Sequence, residues 1–293
     1  MAKIENFALI IGAMKCGTTS LYNYLAQHPE IASCHIKEVD FFNNQSRYDK
    51  GFDFYQNLWK WNADVHKYAL EATPGYTRVS HPDYLNSAEN IYQTQQDNNV
   101  RFKFIYILRD PIDRLESHYT QGRKFLHQDS LESLSEGITE EIIDTSRYAM
   151  QIDEYYQRFP SKDILLVNFE DLKANPDLLL KQICEFLAID SDFQFAGLDR
   201  AHNSYNKELS RVVIPGYSWL RKTPFVKDFI DFLPNGIKQS LQIVRNLFAK
   251  KIEYEYVKLS PEQKSFVAEA LKPDLQKLRD KYKVDISSWN VKA

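Results

Sequence analysis

Lys15 lies inside a short loop bounded by Gly12 and Gly17, in the run Gly12-Ala13-Met14-Lys15-Cys16-Gly17-Thr18-Thr19. An ammonium, a stretch of backbone N–H groups and the hydroxyls of Thr18, Thr19 and Ser20 are the donors that a phosphate ester requires. The apolar run Phe7-Ala8-Leu9-Ile10-Ile11 precedes the loop and the helix-like run Ser20 to Leu25 follows it. Strand, glycine-bounded loop and helix together present unpaired N–H groups and a positive helix end to an anion. An ATP-binding loop reads G-x-x-x-x-G-K-[ST]. Gly12 and Gly17 satisfy that spacing, but Thr18 stands where the lysine belongs. The expected ligand is therefore a phosphate-ester donor other than a nucleoside triphosphate. Cys16 is expected to contribute its backbone N–H; a reactive thiol near the helix start is the alternative.

A second set of donors follows a strong strand signal, Phe102 to Leu108. It reads Arg109-Asp110-Pro111, then Arg114 and Ser117 on the helix that follows. Ligands of open α/β sheets bind beyond the carboxyl ends of the strands, where the strand's length places Arg109. Ser117 lies two helical turns further on, roughly on the same side. An arginine and a hydroxyl so placed suit a second phosphate.

The elements that must position these groups alternate along the chain. Strands are expected at Leu9–Ile11, Ile31–Ile36, Tyr68–Leu70, Phe102–Leu108 and Ile164–Val167. Helices are expected over 19–27, 82–96, 111–126, 148–159 and 176–188, the last opened by Asn175-Pro176. Such alternation predicts an α/β fold, a parallel sheet flanked by helices on both faces. The 293 residues are read as one domain, mainly helical from about 205, ending in a helix that starts at Ser260-Pro261.

A hydrophobic fraction of 43% with 26% charged residues predicts a packed core. The net charge of −3 argues against a nucleic-acid binder that works by bulk charge. Three cysteines, Cys16, Cys34 and Cys184, have no metal-ligand spacing and fit a reducing, cytoplasmic setting. The first apolar stretch is short and runs straight into the loop, so it reads as a strand and not as a signal peptide; no run approaches a membrane span. The segment 205–251 carries a basic excess that suits either an anionic or lipid surface or solvated helix faces. The acidic loop 127–147 reads as a lid or a polar connection.

The two phosphate-type motifs together resemble those of the sulfotransferases that use 3′-phosphoadenosine-5′-phosphosulfate, with a P-loop-type fold. Lys15, Gly17, Thr18, Thr19 and Ser20 match the stretch that holds the 5′-phosphosulfate; Arg109 and Ser117 match the 3′-phosphate site. Lys37-Glu38-Val39-Asp40-Phe41-Phe42, Glu71-Ala72-Thr73-Pro74-Gly75-Tyr76 and Ser117-His118-Tyr119-Thr120-Gln121 are similar to the heparan sulfate branch. The resemblance implies sulfuryl transfer to a carbohydrate, lipid or small-metabolite hydroxyl, with adenosine 3′,5′-bisphosphate as product and no metal. It implies Lys15 at the bridging oxygen and Glu38 as base, with His35 or His118 as the alternative. It implies acceptor contacts from Lys37, Glu38, Asp40, Phe41, Glu71, Thr73 and Gln121, and a later nucleotide loop bearing Lys207 and Arg211. Ala72, Asp40 and Val39 depart from the branch's lysine, histidine and proline, so a glycosaminoglycan acceptor does not carry over. Two other classes stay open: an ATP-dependent phosphotransferase, and a nucleotide-binding module without catalysis.

Overall fold

The computed structural model describes residues 3–126, 138–198, 210–213, 250–253 and 256–291. The chain opens with β1 (Asn6–Gly12) and α1 (Thr18–Leu25), then β2 (Ile31–Ser33), α2 (Gln45–Tyr48), α3 (Phe52–Gln56) and β3 (Tyr68–Ala72). A 3-10 turn at Pro74–Thr77 leads to α4 (Ser87–Asn98), β4 (Arg101–Leu108), α5 (Pro111–Leu126), α6 (Glu140–Asp144) and α7 (Tyr148–Tyr156). Then come β5 (Ile164–Asn168), α8 (Phe169–Ala174), α9 (Pro176–Leu187), β6 (Ser210–Val213), β7 (Lys250–Glu253) and α10 (Pro261–Tyr282).

The main sheet has the order β2-β3-β1-β4-β5 and every pairing in it is parallel. Phe7, Ala8, Leu9, Ile10 and Ile11 are all fully buried, as a central strand covered by helices on both faces demands. From β1 the chain turns toward β2 and β3; from β4 it turns the other way, toward β5. The carboxyl ends of β1 and β4 thus flank the point where the winding reverses, and the crevice of an open α/β sheet forms there.

The second strand is shorter than the sequence predicts. It stops at Ser33, because the next residue, Cys34, leaves the parallel ladder with β3 for an isolated antiparallel bridge to Trp59. α4 starts at Ser87 and not at 82: the Asn86 side chain accepts the Glu89 N–H at 3.1 Å and caps the helix there. The expectations for α5 and α9 meet the observed elements within a residue, and Asn175 caps α9 with Pro176 in its first turn.

The part beyond 205 lies mostly outside the described residues. Described there are the antiparallel pair β6–β7 and helix α10, opened by a reciprocal Ser260–Gln263 capping box. α10 is tied to α7: Asp274 accepts the Ala149 and Met150 N–H groups at 3.0 and 2.8 Å, and Asp153 holds Lys277, Lys281 and Tyr282. Beyond α10, Trp289 packs on Tyr148 and donates to Glu170, while Asp110 accepts the Asn290 N–H.

Candidate active site

The loop after β1 is held open by its backbone. Lys15 and Gly17 have φ values of 73° and 90°. At Gly17 a side chain is excluded twice over, by that φ and because a Cβ would meet the Phe169 ring carbons at 2.6 Å. α1 begins at Thr18 with no side-chain cap, so the N–H groups of Thr18, Thr19 and Ser20 have no intrahelical acceptor. They belong to the helix's positive end, which follows directly on the loop.

Cys16 does not join this cradle as expected. Its N–H closes a turn on the Ala13 carbonyl at 3.1 Å, and its buried thiol lies 3.7 Å from the Tyr148 hydroxyl. Burial pushes that thiol up to about 11, which also removes the reactive-thiol alternative.

The second motif meets the first. The Ala13 N–H donates to the Ile107 carbonyl at 2.8 Å, extending the β1–β4 ladder into the loop. Arg109, at the end of β4, then donates from Nη1 to the Lys15 carbonyl at 3.2 Å. Its guanidinium lies 4.9 Å above the ring of Phe169, the same ring that abuts Gly17. Phe169 is the first residue after β5, and the sequence analysis gives it no part in the site. An aromatic at the carboxyl end of the strand next to β4 is the signal that would have found it. Tyr148 donates to the Arg109 carbonyl at 2.8 Å, and Ser117, two turns along α5, is buried.

His118 follows Ser117. Burial pushes its imidazole down to about 4, with Arg114, Lys15 and Arg78 adding to the effect. It is therefore neutral at pH 7 and lies within electrostatic reach of Lys15. Glu38 is placed differently: its carboxylate is half exposed and pairs with Lys37 at 3.5 Å. His35 is exposed, with Nδ1 2.5 Å from the Leu58 carbonyl. Asp40 is half-buried beside Asn43, 3.2 Å from its amide, and burial raises its carboxyl.

Three expected acceptor contacts belong to the interior. Glu71 is 1% exposed and accepts from Tyr55, from Thr73 at 2.7 Å and from Tyr76 at 2.5 Å. Thr73 is equally buried and holds that carboxylate. Phe41 stacks on Tyr55 with ring centroids 4.6 Å apart. All three are covered because residues 38–43 fold back over the end of β3, a closure that contiguous sequence does not display. Gln121 is exposed one turn beyond Ser117. Lys207 lies outside the described residues, as does the side chain of Arg211. Of the acidic loop, 127–137 also lies outside them; Glu140 pairs with Arg147 at 2.5 Å, and Glu141 with Arg78.

The sheet is parallel and of the α/β type, and the Gly12–Gly17 loop and Arg109 meet at its switch point. Residues 6–240 match the sulfotransferase domain family, and the chain belongs to that family. Human heparan sulfate glucosamine 3-O-sulfotransferase 3B1 is 32% identical over 191 residues, which are 62% of this chain and 46% of that protein. Human bifunctional heparan sulfate N-deacetylase/N-sulfotransferase 3 is 26% identical over 209 residues, 64% of this chain and 23% of that protein. The chain thus spans less than half the length of either relative. A sulfotransferase from Alicyclobacillus acidocaldarius shares the fold with a TM-score of 0.63 at 19% identity over 99% of each chain. Among the described residues no helix is long and apolar enough to cross a membrane, and no three His, Cys, Asp or Glu side chains converge as metal ligands would.

Proposed function

We propose that this chain moves a sulfuryl group from 3′-phosphoadenosine-5′-phosphosulfate to an acceptor hydroxyl and releases adenosine 3′,5′-bisphosphate. The observation that carries the reading is the hydrogen bond from Arg109 to the Lys15 carbonyl, which joins two phosphate motifs 94 residues apart. The N–H groups of Thr18, Thr19 and Ser20, with their hydroxyls, hold the 5′-phosphosulfate. Arg109 and Ser117 hold the 3′-phosphate, and Lys207 and Arg211 are the further nucleotide contacts that the resemblance implies.

In the transfer, the bond between sulfur and the bridging oxygen breaks as the acceptor oxygen forms its own bond to sulfur. Charge builds on the oxygen left with the 5′-phosphate, where the Lys15 ammonium neutralises it. The protein otherwise contributes alignment, as in phosphoryl transfer. The acceptor's proton goes to Glu38, which the resemblance to the heparan sulfate branch favours. A specific observation supports His118 as the second reading: it is neutral at pH 7 and sits in the field of Lys15, whereas Glu38 pairs with Lys37.

The acceptor is a hydroxyl on a glycan, a lipid or a small metabolite. The names of the two relatives favour a glycan, while Asp40 and Ala72 favour one that is not a sulfated polymer. The test is transfer of radiolabel from the donor to a panel of such acceptors, with and without EDTA, for the parent and Lys15→Ala. Transfer by the parent that survives EDTA, is lost in K15A and leaves product-nucleotide binding intact is the expected result. Transfer that needs ATP and a divalent cation, or none in a parent that binds no nucleotide, overturns the reading.

A further inference from the structure

Arg114 is the largest fully buried side chain among the described residues. It lies on α5 between the two donor groups of the second motif, one turn after Asp110, whose carbonyl accepts its N–H at 2.9 Å, and one turn before Ser117. Its Nε donates to Ser146 Oγ at 2.5 Å and its Nη2 to the Ile142 carbonyl at 2.7 Å. Nη1 is buried and has no acceptor. Among the described residues no carboxylate pairs with this guanidinium, although the chain has 40 acidic residues. Other arginines of the fold are matched: Arg78 by Glu141, Arg147 by Glu140 and Asp144, Arg158 by Glu89 and Glu154.

A guanidinium does not lose its proton in a protein, and a buried unpaired charge is strongly unfavourable. Its field reaches Cys16 and Tyr148, the groups packed behind the phosphate loop, and His118 on its own helix. Those groups join the two motifs: Cys16 meets Tyr148, Tyr148 donates to the Arg109 carbonyl, and Arg109 donates to the Lys15 carbonyl.

We infer that Arg114 is a positioning residue whose buried guanidinium is a fixed counter-charge for the phosphates of the donor, acting through the loop and Arg109 without touching the ligand. The inference rests on the donor proposed above. The missing counter-ion of Arg114 is the bound nucleotide itself, so its charge is balanced only in the complex. A low-dielectric position makes that interaction stronger than one across solvent.

The experiment measures the affinity of adenosine 3′,5′-bisphosphate for the parent, Arg114→Met and Arg114→Lys by calorimetry, with folding of each checked by circular dichroism. The methionine removes the charge at similar volume; the lysine keeps the charge but not the forked hydrogen bonds to Ser146 and Ile142. Expected is a loss of roughly tenfold or more for R114M, about 1.4 kcal/mol, and near-parental affinity for R114K. In the free protein, NMR titration of His118 should move up from about 4 in R114M and stay down in R114K.

Parental affinity in folded R114M overturns the inference. So does an R114K that binds as weakly as R114M, because that outcome makes Arg114 a hydrogen-bonding tie between α5 and α6. If R114M does not fold, R114K decides alone: retained affinity supports the counter-charge and lost affinity refutes it. A parent that binds no such nucleotide removes the donor assignment and this inference together.

Discussion

Replacing His118 by glutamine removes an imidazole that the folded protein keeps neutral. Its ordinary value is 6.5 and the fold lowers it to about 4, first by burial and then by the charges of Arg114, Lys15 and Arg78. The sign follows from which state takes up the proton. Below 6.5 the unfolded chain protonates this histidine while the folded chain resists until about 4, so falling pH favours unfolding. The stability that depends on neutral His118 is complete above 6.5 and lost progressively down to about 4. At about 1.36 kcal/mol per pH unit the loss totals roughly 3 kcal/mol. Urea unfolding of the parent and H118Q, from about pH 7.5 to about pH 4.5, measures it. Carboxylates that titrate in the same range act on both proteins and cancel in the difference. The parent should lose stability relative to H118Q by most of that amount, with no change in the difference above 6.5. A difference constant across the whole range would show that the imidazole titrates normally, and the arrangement of three cations around it would be wrong.

Two further outcomes test the fold that carries the site. Glu71→Ala leaves three buried hydroxyls without their acceptor, and at about 1–3 kcal/mol per orphaned group it should lower unfolding stability by at least 3 kcal/mol; a variant of parental stability would return Glu71 to the acceptor site. Asp274→Ala removes the carboxylate that caps α7 from α10 and should cost about 1–2 kcal/mol, read from the urea midpoint; no loss would mean that the carboxyl-terminal helix contributes little to holding α7.

The frame was legible in the sequence because its signals are local. β1 and β4 are unbroken apolar runs, α9 announces itself with Asn175-Pro176, and the glycine spacing places the phosphate loop between a strand and a helix. The relation of Lys15 to Arg109 was legible for a topological reason, since both follow strands of one parallel sheet and carboxyl ends share an edge. The segment 38–43 was not legible. Its residue types look like exposed acceptor contacts, but two left-handed residues fold it back so that Phe41 enters the aromatic core and its backbone covers Tyr76 and Thr73. Glu71 was misread for the same reason: a charged residue in a strand looks available until the three hydroxyls that surround it, from α3, β3's end and the turn after it, are brought together. Cys16 shows the limit at the scale of one residue, because the direction of a single N–H in a loop depends on the turn and not on the composition.

Neither anion motif acts by itself in this architecture. Lys15 holds a left-handed backbone that is unfavourable for a residue with a side chain by roughly 1 kcal/mol, and the carbonyl turned by that conformation is the one Arg109 binds. Arg109 in turn rests on Phe169, and Phe169 fits only because position 17 has no Cβ. A change at Gly17 therefore reaches Arg109 through Phe169, and a change at Arg109 reaches the loop through the Lys15 carbonyl. On the proposed reading, the two ends of one nucleotide fix the same contacts from both directions. On the proposed reading, that mutual dependence is how a chain with an overall negative charge holds a multiply charged anion: the cations are few, but the guanidiniums of Arg109 and Arg114 are fixed by the Lys15 and Ile142 carbonyls before the ligand arrives.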